Sequence, residues 1–211
     1  MLGVVVGLVA EARIARGLGI EVAVGGGDAA GAAVAANRLA ESGVTGLISF
    51  GLAGGLSPEL AAGLVIVPEG VVAEDGTLWR ANPALAARLG VAGGLLLAAS
   101  AIIGTRQDKF AAWRRTGASA ADLESGAVAR VAAEHGLPFA VLRAICDPAD
   151  RDLPPAAMTA LDANGRIRPA ALLRSLARHP GQISGLIALG REAASARTAL
   201  LARVAAIGPL A

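Results

Sequence analysis

The sequence is short of cysteine, histidine and aromatic residues, and each shortage excludes a class of site or scaffold. Among 211 residues there are one Cys, two His, three Phe, two Trp and no Tyr. A single Cys excludes an internal disulfide framework and suits a reducing compartment. Two His residues are too few for the usual metal sites, so we expect no bound metal. With so few aromatic rings, the core has to be aliphatic and closely packed.

The sequence also lacks a large excess of basic or acidic residues and has no long apolar run. The formal net charge is +2 and no basic block occurs, so we expect no nucleic-acid partner. The longest run without a charged residue, Leu89–Thr105, falls short of the roughly 20 residues that a membrane-spanning helix needs. Met1–Ala10 lacks the basic residues of a secretory signal. We therefore expect a cytoplasmic protein without a transmembrane segment.

Apolar residues make up 55% of the chain, and their spacing alternates between strand and helix patterns. We predict strands at Leu2–Val9, Ile20–Val24, Thr45–Phe50, Leu64–Pro68, Val71–Glu74, Gly94–Ser100, Ser119–Leu123 and Phe139–Ile145. We predict helices at Ala10–Gly17, Asp28–Ser42, Asn82–Leu89, Gln107–Thr116, Ala170–Arg178 and Ile183–Val204, with one more that starts at Glu124. Such alternation predicts a single α/β domain over 1–211, in which helices flank both faces of a mostly parallel or mixed twisted sheet. Residues from about 170 to 211 would form a helical extension packed on it.

The stretch Ala121–Arg151 carries the strongest chemical pattern. Glu124 opens a helix, and Asp147 lies where the next strand runs out, which are both places where α/β folds build sites. Arg143 interrupts that otherwise apolar strand, and a buried charge is costly unless it is paired. Taken singly, Glu124 is also explained as a helix cap and Asp147 as a turn residue before Pro148.

Together, Leu123-Glu124 and Leu142–Asp147 resemble two motifs of the nucleoside phosphorylase/nucleosidase superfamily, especially its methylthioadenosine/S-adenosylhomocysteine nucleosidase branch. The resemblance implies that Glu124 accepts hydrogen bonds from ribose hydroxyls and that Asp147 gives a proton to the departing purine. Arg143 would orient the loop, and Leu123 and Cys146 would touch the substrate. Asp147 would need a pKa well above its ordinary value, which an Arg143 side chain pointed at it would oppose.

The nucleophile is predicted from two further segments that resemble the superfamily. The glycine-rich Gly51–Gly55 resembles a turn that holds phosphate or water, and the backbone of Gly51, Leu52 and Gly54 would form an anion nest. Leu52 stands where relatives carry a hydroxyl, which leaves only the backbone contact.

After Gly7, the water-activating Glu of the hydrolytic relatives aligns with Ala12. Glu11 is one residue away, a rotation of about 100° on a helix. The positive charge of Arg13 is better suited to binding phosphate than a general base at this place would be. The sequence therefore favours phosphorolysis over hydrolysis, with inorganic phosphate as co-substrate and no other cofactor.

Matches along most of the chain resemble one branch, the hopanoid-associated phosphorylases, which act on adenosylhopane. The matching segments are Gly7–Arg13, Gly25–Asp28, Asp122–Ser125, Leu153–Ala157, Ala160–Asp162 and Arg178–Gln182. This resemblance implies release of adenine in hopanoid biosynthesis by a homodimer. Ile103 and Thr105 would lie in the segment that contacts the purine.

Several alternatives stay open at the level of sequence. The first alternative is a methylthioadenosine/S-adenosylhomocysteine nucleosidase or another purine nucleoside phosphorylase. A purine-binding module without activity is a second class, because Leu52 and Ala12 replace expected polar residues. A dinucleotide-binding enzyme is a third, since Gly25, Gly27 and Ala30 fit a glycine fingerprint, although no acidic residue follows the next strand. The apolar C-terminal helices would pack on the domain or touch a membrane or lipid-like substrate.

Overall fold

A computed structural model of the protein describes residues 1–160 and 180–210. In these residues the strands are β1 (Gly3–Val6), β2 (Glu21–Val24), β3 (Leu47–Gly55), β4 (Val65–Ile66), β5 (Gly70–Ala73), β6 (Leu78–Arg80), β7 (Leu95–Ala98), β8 (Ala120–Asp122) and β9 (Phe139–Asp147). The helices are α1 (Val9–Ala15), α2 (Ala29–Glu41), α3 (Pro83–Leu89), α4 (Arg106–Thr116), α5 (Ser125–Glu134), α6 (Pro155–Ala160) and α7 (Ile183–Ile207).

The strands form one mixed sheet in the order β2-β1-β3-β8-β7-β5-β6. Strand β3 is shared: it pairs parallel with β9 from Leu47 onwards and antiparallel with β8 at Gly54 and Gly55. The short β4 extends the β9 side. The ends of β3, β8 and β9 therefore meet in one region of the sheet, which is where the candidate site lies.

Among the described residues, two large, mostly aliphatic core clusters and a smaller third one cover the faces of the sheet. Along β1, Val4 and Val6 pack into one core and Val5 into the other, because successive strand side chains point to opposite faces. Helices α1, α3 and α7 contribute to the first core, and α2 and α5 to the second. The predicted α/β fold, with helices on both faces of a mixed sheet, is confirmed.

Side chains at the helix starts explain why the elements begin where they do. The Gly31 N–H donates to Asp28 Oδ1 at 2.7 Å, so Asp28 caps α2. Asn82 accepts from the Leu85 N–H at 3.0 Å, and Pro83 occupies the first turn of α3. Thr105 caps α4 by accepting from the Asp108 N–H at 3.0 Å.

Three local predictions are wrong. Gly51–Gly55 is no turn, because β3 continues through it while paired with β9 and β8. Strand β1 ends at Val6, and Val9 starts α1 instead of closing the strand. The sequence also missed β6, a short strand that pairs antiparallel with β5.

The C-terminal part is described from residue 180 onwards. Helix α7 reaches Ile207, slightly beyond its predicted end. The predicted helix Ala170–Arg178, and Leu161, Asp162 and His179, lie outside the described residues. The division into a domain and an extension therefore stays a prediction. No helix in the described ranges combines the length and the hydropathy needed to cross a membrane.

Candidate active site

A cavity of about 350 Å³ lies beside the second half of β3 and the end of β9. Four acidic residues from four different segments line it: Glu11, Asp122, Glu124 and Asp147. The remaining wall is mostly apolar, with Leu8, Leu52, Ile102, Ile103, Leu153 and Leu189 among its residues. Acidic groups at one part of an apolar cavity can bind hydroxyls and move protons while little water is present.

Arg143 lies behind this wall and is 1% exposed. Its Nη2 reaches Asp122 Oδ2 at 2.5 Å and Glu124 Oε2 at 3.0 Å. The same nitrogen donates to Ser49 Oγ at 2.8 Å and Ser125 Oγ at 3.1 Å. Arg143 thus fixes Glu124 at the cavity edge, and Asp147 is not among the partners of its Nη2.

Asp122 supplies the charge that keeps Arg143 stable in the core. It also accepts from the Ser125 N–H at 3.1 Å and from Ser125 Oγ at 2.5 Å, so the start of α5 is tied to the ion pair. The roles of Asp122, Ser125 and Ser49 were not predicted from the sequence. Asp122 and Ser125 flank Leu123-Glu124 in the motif, which was a usable signal, whereas nothing near Ser49 indicated its contact with Arg143.

Burial controls the acidity of Glu124. Desolvation raises the pKa of its carboxyl to about 7, against the opposing effect of the Arg143 charge. The charges of Asp122 and Glu11 raise the pKa further. Near neutral pH this group can therefore both accept and donate hydrogen bonds.

Glu11 lies in the first turn of α1 and is held by two backbone donors. The Leu8 N–H donates to Oε2 at 2.8 Å, and the Leu52 N–H donates to Oε1 at 3.0 Å. Burial raises its pKa, which the nearby Arg143 charge partly offsets. Ala12, the position that the alignment favoured, is buried in the aliphatic core instead. The acidic group at this wall is therefore Glu11.

Two glycines leave the space that these carboxylates occupy. A Cβ on Gly7 would collide with Glu124 Oε1 and come within 3.4 Å of Glu11 Oε2. A Cβ on Gly51 would lie 2.5 Å from Arg143 Nη1 and 2.6 Å from Glu11 Oε1. Glycine is therefore needed at both positions, because a side chain there would displace the acidic groups.

Asp147 ends β9, lines the same cavity and is 6% exposed. Its Oδ2 lies 2.7 Å from Lys109 Nζ on α4, a partner that the sequence analysis did not find. Burial raises the pKa of Asp147, and the Lys109 hydrogen bond and charge lower it. A predicted proton donor thus has an environment that keeps its pKa above the ordinary value.

The remaining predicted residues divide into two groups. Ile103, Leu123, Cys146, Gly54 and Leu52 line the cavity. Burial raises the pKa of the Cys146 thiol to about 12, so it would not act as a nucleophile.

The fold does not bring the others to the cavity wall as predicted. Arg13 is exposed, and Thr105 is exposed and caps α4. An anion nest at Gly51–Gly55 is contradicted, because this segment is paired strand and its Leu52 N–H binds Glu11. The Asp28 side chain binds the Gly31 N–H at the start of α2, where a dinucleotide phosphate would have to bind.

Within residues 1–160 and 180–210, no group of three or more His, Cys, Asp or Glu side chains is arranged to hold a metal ion. The cavity instead offers carboxyl groups and apolar surface, which suits an uncharged organic ligand.

Comparison with known proteins is consistent with this architecture. Residues 80–178 match the family model described as "Phosphorylase superfamily". No curated protein matches the chain.

Three solved structures illustrate the likeness in fold. The methylthioadenosine/S-adenosylhomocysteine nucleosidase of Helicobacter pylori is 17% identical, with a TM-score of 0.69 over 97% of each chain. A futalosine hydrolase mutant of Helicobacter pylori strain 26695 is 16% identical, with a TM-score of 0.67 over 97% of this chain and 98% of that one. The nucleosidase of Colwellia psychrerythraea 34H, solved with adenine, is 16% identical, with a TM-score of 0.64 over 92% and 94%. The chain therefore has the fold of these nucleosidases, and its residues 80–178 match the phosphorylase superfamily.

Proposed function

We propose that the protein is an enzyme that hydrolyses the N-ribosidic bond of a purine nucleoside. The observation that carries the proposal is that Glu11, Glu124 and Asp147 line one cavity, each with its pKa raised by burial. The nucleosidase fold and the match to the phosphorylase superfamily support the same reaction class.

Cleavage of this bond has two chemical needs that the site meets. The electron pair of the C1′–N9 bond leaves with the purine, so the base needs a proton, which Asp147 supplies. The ribosyl group becomes oxocarbenium-like and is stabilised by negative charge and by a tight hold on its hydroxyls. Glu124, fixed by Arg143 at 3.0 Å, accepts the ribose hydroxyl hydrogen bonds.

Water is the better nucleophile for this cavity. Glu11 is presented by two backbone N–H groups, and its raised pKa makes it a stronger base toward a water proton. A phosphate ion at the same place would meet the carboxyl groups of Glu11 and Glu124 and be repelled. The reason for favouring phosphorolysis, the missing acid at Ala12, does not apply once Glu11 faces the cavity.

The apolar part of the cavity favours a nucleoside with an apolar 5′ substituent. Leu153, Leu189 and Ala193 line the same cavity as the acidic residues, and burial of apolar ligand surface against them is favourable by about 25 cal/mol per Å². We propose adenosylhopane, the substrate of the branch that the sequence resembles, with adenine as the released base. Methylthioadenosine or S-adenosylhomocysteine is the second candidate, since its 5′ sulfur substituent would fill the same wall.

The test is release of free adenine from adenosylhopane, methylthioadenosine and adenosine, with and without phosphate. Hydrolysis predicts equal rates in both buffers. Asp147→Asn should lower turnover by about 10²-fold or more while the protein stays folded. Asp150→Asn, a change at an exposed carboxylate on the following loop, is the matched control and should leave turnover unchanged.

Two results would contradict the proposal. If the protein binds adenosine but releases no adenine from any of these substrates, it is a purine-binding module. If adenine appears only with phosphate, the reaction is phosphorolysis. A homodimer and a cytoplasmic location stay predictions, the first of which light scattering tests.

A further inference from the structure

The chain contains one lysine, and the fold buries it. Lys109 is 1% exposed, whereas Arg114 and Arg115 on the same helix are exposed. Burying an ammonium ion is costly unless its charge and all its donors find partners. The position therefore needs a specific explanation.

Three oxygen atoms surround the ammonium group. Lys109 Nζ lies 2.7 Å from Asp147 Oδ2 and donates to the Pro148 carbonyl at 2.9 Å and the Arg151 carbonyl at 3.1 Å. An ammonium has three donors that turn freely, so this arrangement satisfies all of them. The planar fork of an arginine does not match three oxygens that converge from separate residues.

We propose that Lys109 is a positioning residue for Asp147: it holds the carboxyl at the cavity wall and stabilises the carboxylate left when the proton moves to the purine. This inference rests on the proposed nucleosidase function. In the step itself, the Asp147 O–H bond breaks, an N–H bond forms on the purine, and the purine keeps the electron pair of the broken C1′–N9 bond. The oxygen of the attacking water forms the new bond to C1′, and its proton goes to Glu11. The new carboxylate stays paired with the Lys109 ammonium.

The other charges that face Asp147 largely offset each other. Arg151 comes from the loop after β9 and Glu192 from α7, and their side chains form an ion pair at 2.5 Å. Among the described residues that act on Asp147, Lys109 is therefore the charge whose ion pair is with Asp147 itself. Removal of the Lys109 charge should therefore change the proton affinity of Asp147 more than removal of a charged group far from Asp147 would.

The acid–base consequence has a definite sign. Lys109 lowers the pKa of Asp147, so Lys109→Met raises it. Because the protonated form is active, the fall of kcat at high pH should move to higher pH. The plateau rate on purine nucleosides should fall about tenfold or more, because the acid is weaker and its carboxylate is no longer stabilised.

The experiment measures kcat against pH for the wild type, Lys109→Met and Gln107→Met, an exposed change on the same helix. A p-nitrophenyl riboside is the second substrate, since its leaving group needs no proton. We expect Lys109→Met to keep most of its rate on this substrate while losing purine cleavage, and Gln107→Met to match the wild type on both. An unmoved alkaline limb, or equal losses on both substrates, would overturn the inference.

Failure of this inference can be separated from failure of the proposed function. If the wild type releases no base, the proposed function itself fails. If Asp147→Asn loses activity as proposed but Lys109→Met keeps the wild-type limb, only the role of Lys109 fails.

The single lysine also permits a test that needs no Lys109 variant. In ¹⁵N-lysine-labelled wild type, the one side-chain nitrogen signal should titrate with the midpoint of the alkaline limb of kcat/KM, which reports the free enzyme, and this titration should disappear in Asp147→Asn. A signal that stays constant through the limb would contradict the proposal.

Discussion

The side chain of Glu11 faces the cavity, and the proposed activation of water depends on this direction. Glu11→Gln removes the base proposed to take a proton from water. It keeps a carbonyl oxygen, which can accept a hydrogen bond from the N–H of Leu8 or of Leu52. We expect kcat for adenine release to fall by about 10²-fold to 10⁴-fold with a folded protein. Glu41→Gln, an exposed change at the end of α2, is the control. A rate within a few fold of the wild type would assign water activation to another group.

Glu124 should make stability depend on pH in a predictable direction. Burial raises the pKa of its folded-state carboxyl from an ordinary 4.5 to about 7, so the stabilisation that it contributes is complete below pH 4.5. This contribution disappears as the pH rises through 7, a change on the order of 3 kcal/mol. Glu124→Gln does not titrate at this position. In thermal unfolding, the Tm of the wild type should therefore fall relative to the Tm of this variant between pH 5 and pH 8. A difference in Tm that is constant across this range would contradict the assignment.

At the residue scale the sequence predicted the acids that belong to local motifs and missed the partners that the fold brings from afar. Glu124 and Asp147 were identified from their places at a helix start and a strand end. Lys109 and Ser49 come from α4 and β3, and their contacts depend on tertiary packing that no local pattern records. The alignment placed the water-activating Glu at Ala12, next to Glu11, because an alignment fixes order along the chain and not the direction of a side chain.

At the scale of elements, β3 is the strand on which the acidic wall depends. Its glycines indicated a turn, but pairing with β9 and β8 keeps Gly51–Gly55 extended. Local composition could not predict this, because the partners come from more than 60 residues further along the chain, where β8 starts at Ala120. The elements with local signals, such as α2 with its Asp28 cap and α3 with Pro83, were predicted closely.

Gly51 tests this role of β3. Gly51→Ala would place a Cβ 2.5 Å from Arg143 Nη1 and 2.6 Å from Glu11 Oε1, at a φ of 155° that disfavours a side chain. We expect destabilisation of about 1–3 kcal/mol, as for other overpacked cores, and loss of activity because both groups shift. Gly54→Ala is the control for stability, since its Cβ would lie 3.7 Å from the nearest atom, Asp147 Oδ2. Equal Tm values for the two variants in thermal unfolding would argue against a tight contact at Gly51.

At the scale of the whole molecule, the cavity joins parts of the chain that serve different ends of the ligand. The acidic wall comes from α1, β8, the start of α5 and β9, whereas α6 and α7 add the apolar residues Ala157, Leu189 and Ala193. The alternation of strands and helices predicted the sheet and its flanking helices. It could not predict that α7 reaches the cavity, because packing helices and ligand-binding helices carry the same apolar spacing.

The apolar wall predicts how specificity depends on the 5′ substituent. Each buried methylene is stabilised by about 0.8 kcal/mol, so kcat/KM for 5′-alkyl adenosine derivatives should rise roughly fourfold per added methylene until the cavity is full. Ala193→Phe fills this wall and should remove the preference for long chains while adenosine is still cleaved.

Ala194→Phe, on the exposed side of α7, is the matched control and should keep the full dependence on chain length. A kcat/KM that does not change with chain length in the wild type would exclude an apolar 5′ group as the ligand of this wall. A dependence that survives Ala193→Phe would place that group elsewhere in the cavity. Because Asp147→Asn removes the chemistry and leaves this wall intact, its affinity for the same series should keep the chain-length trend, which separates binding from catalysis.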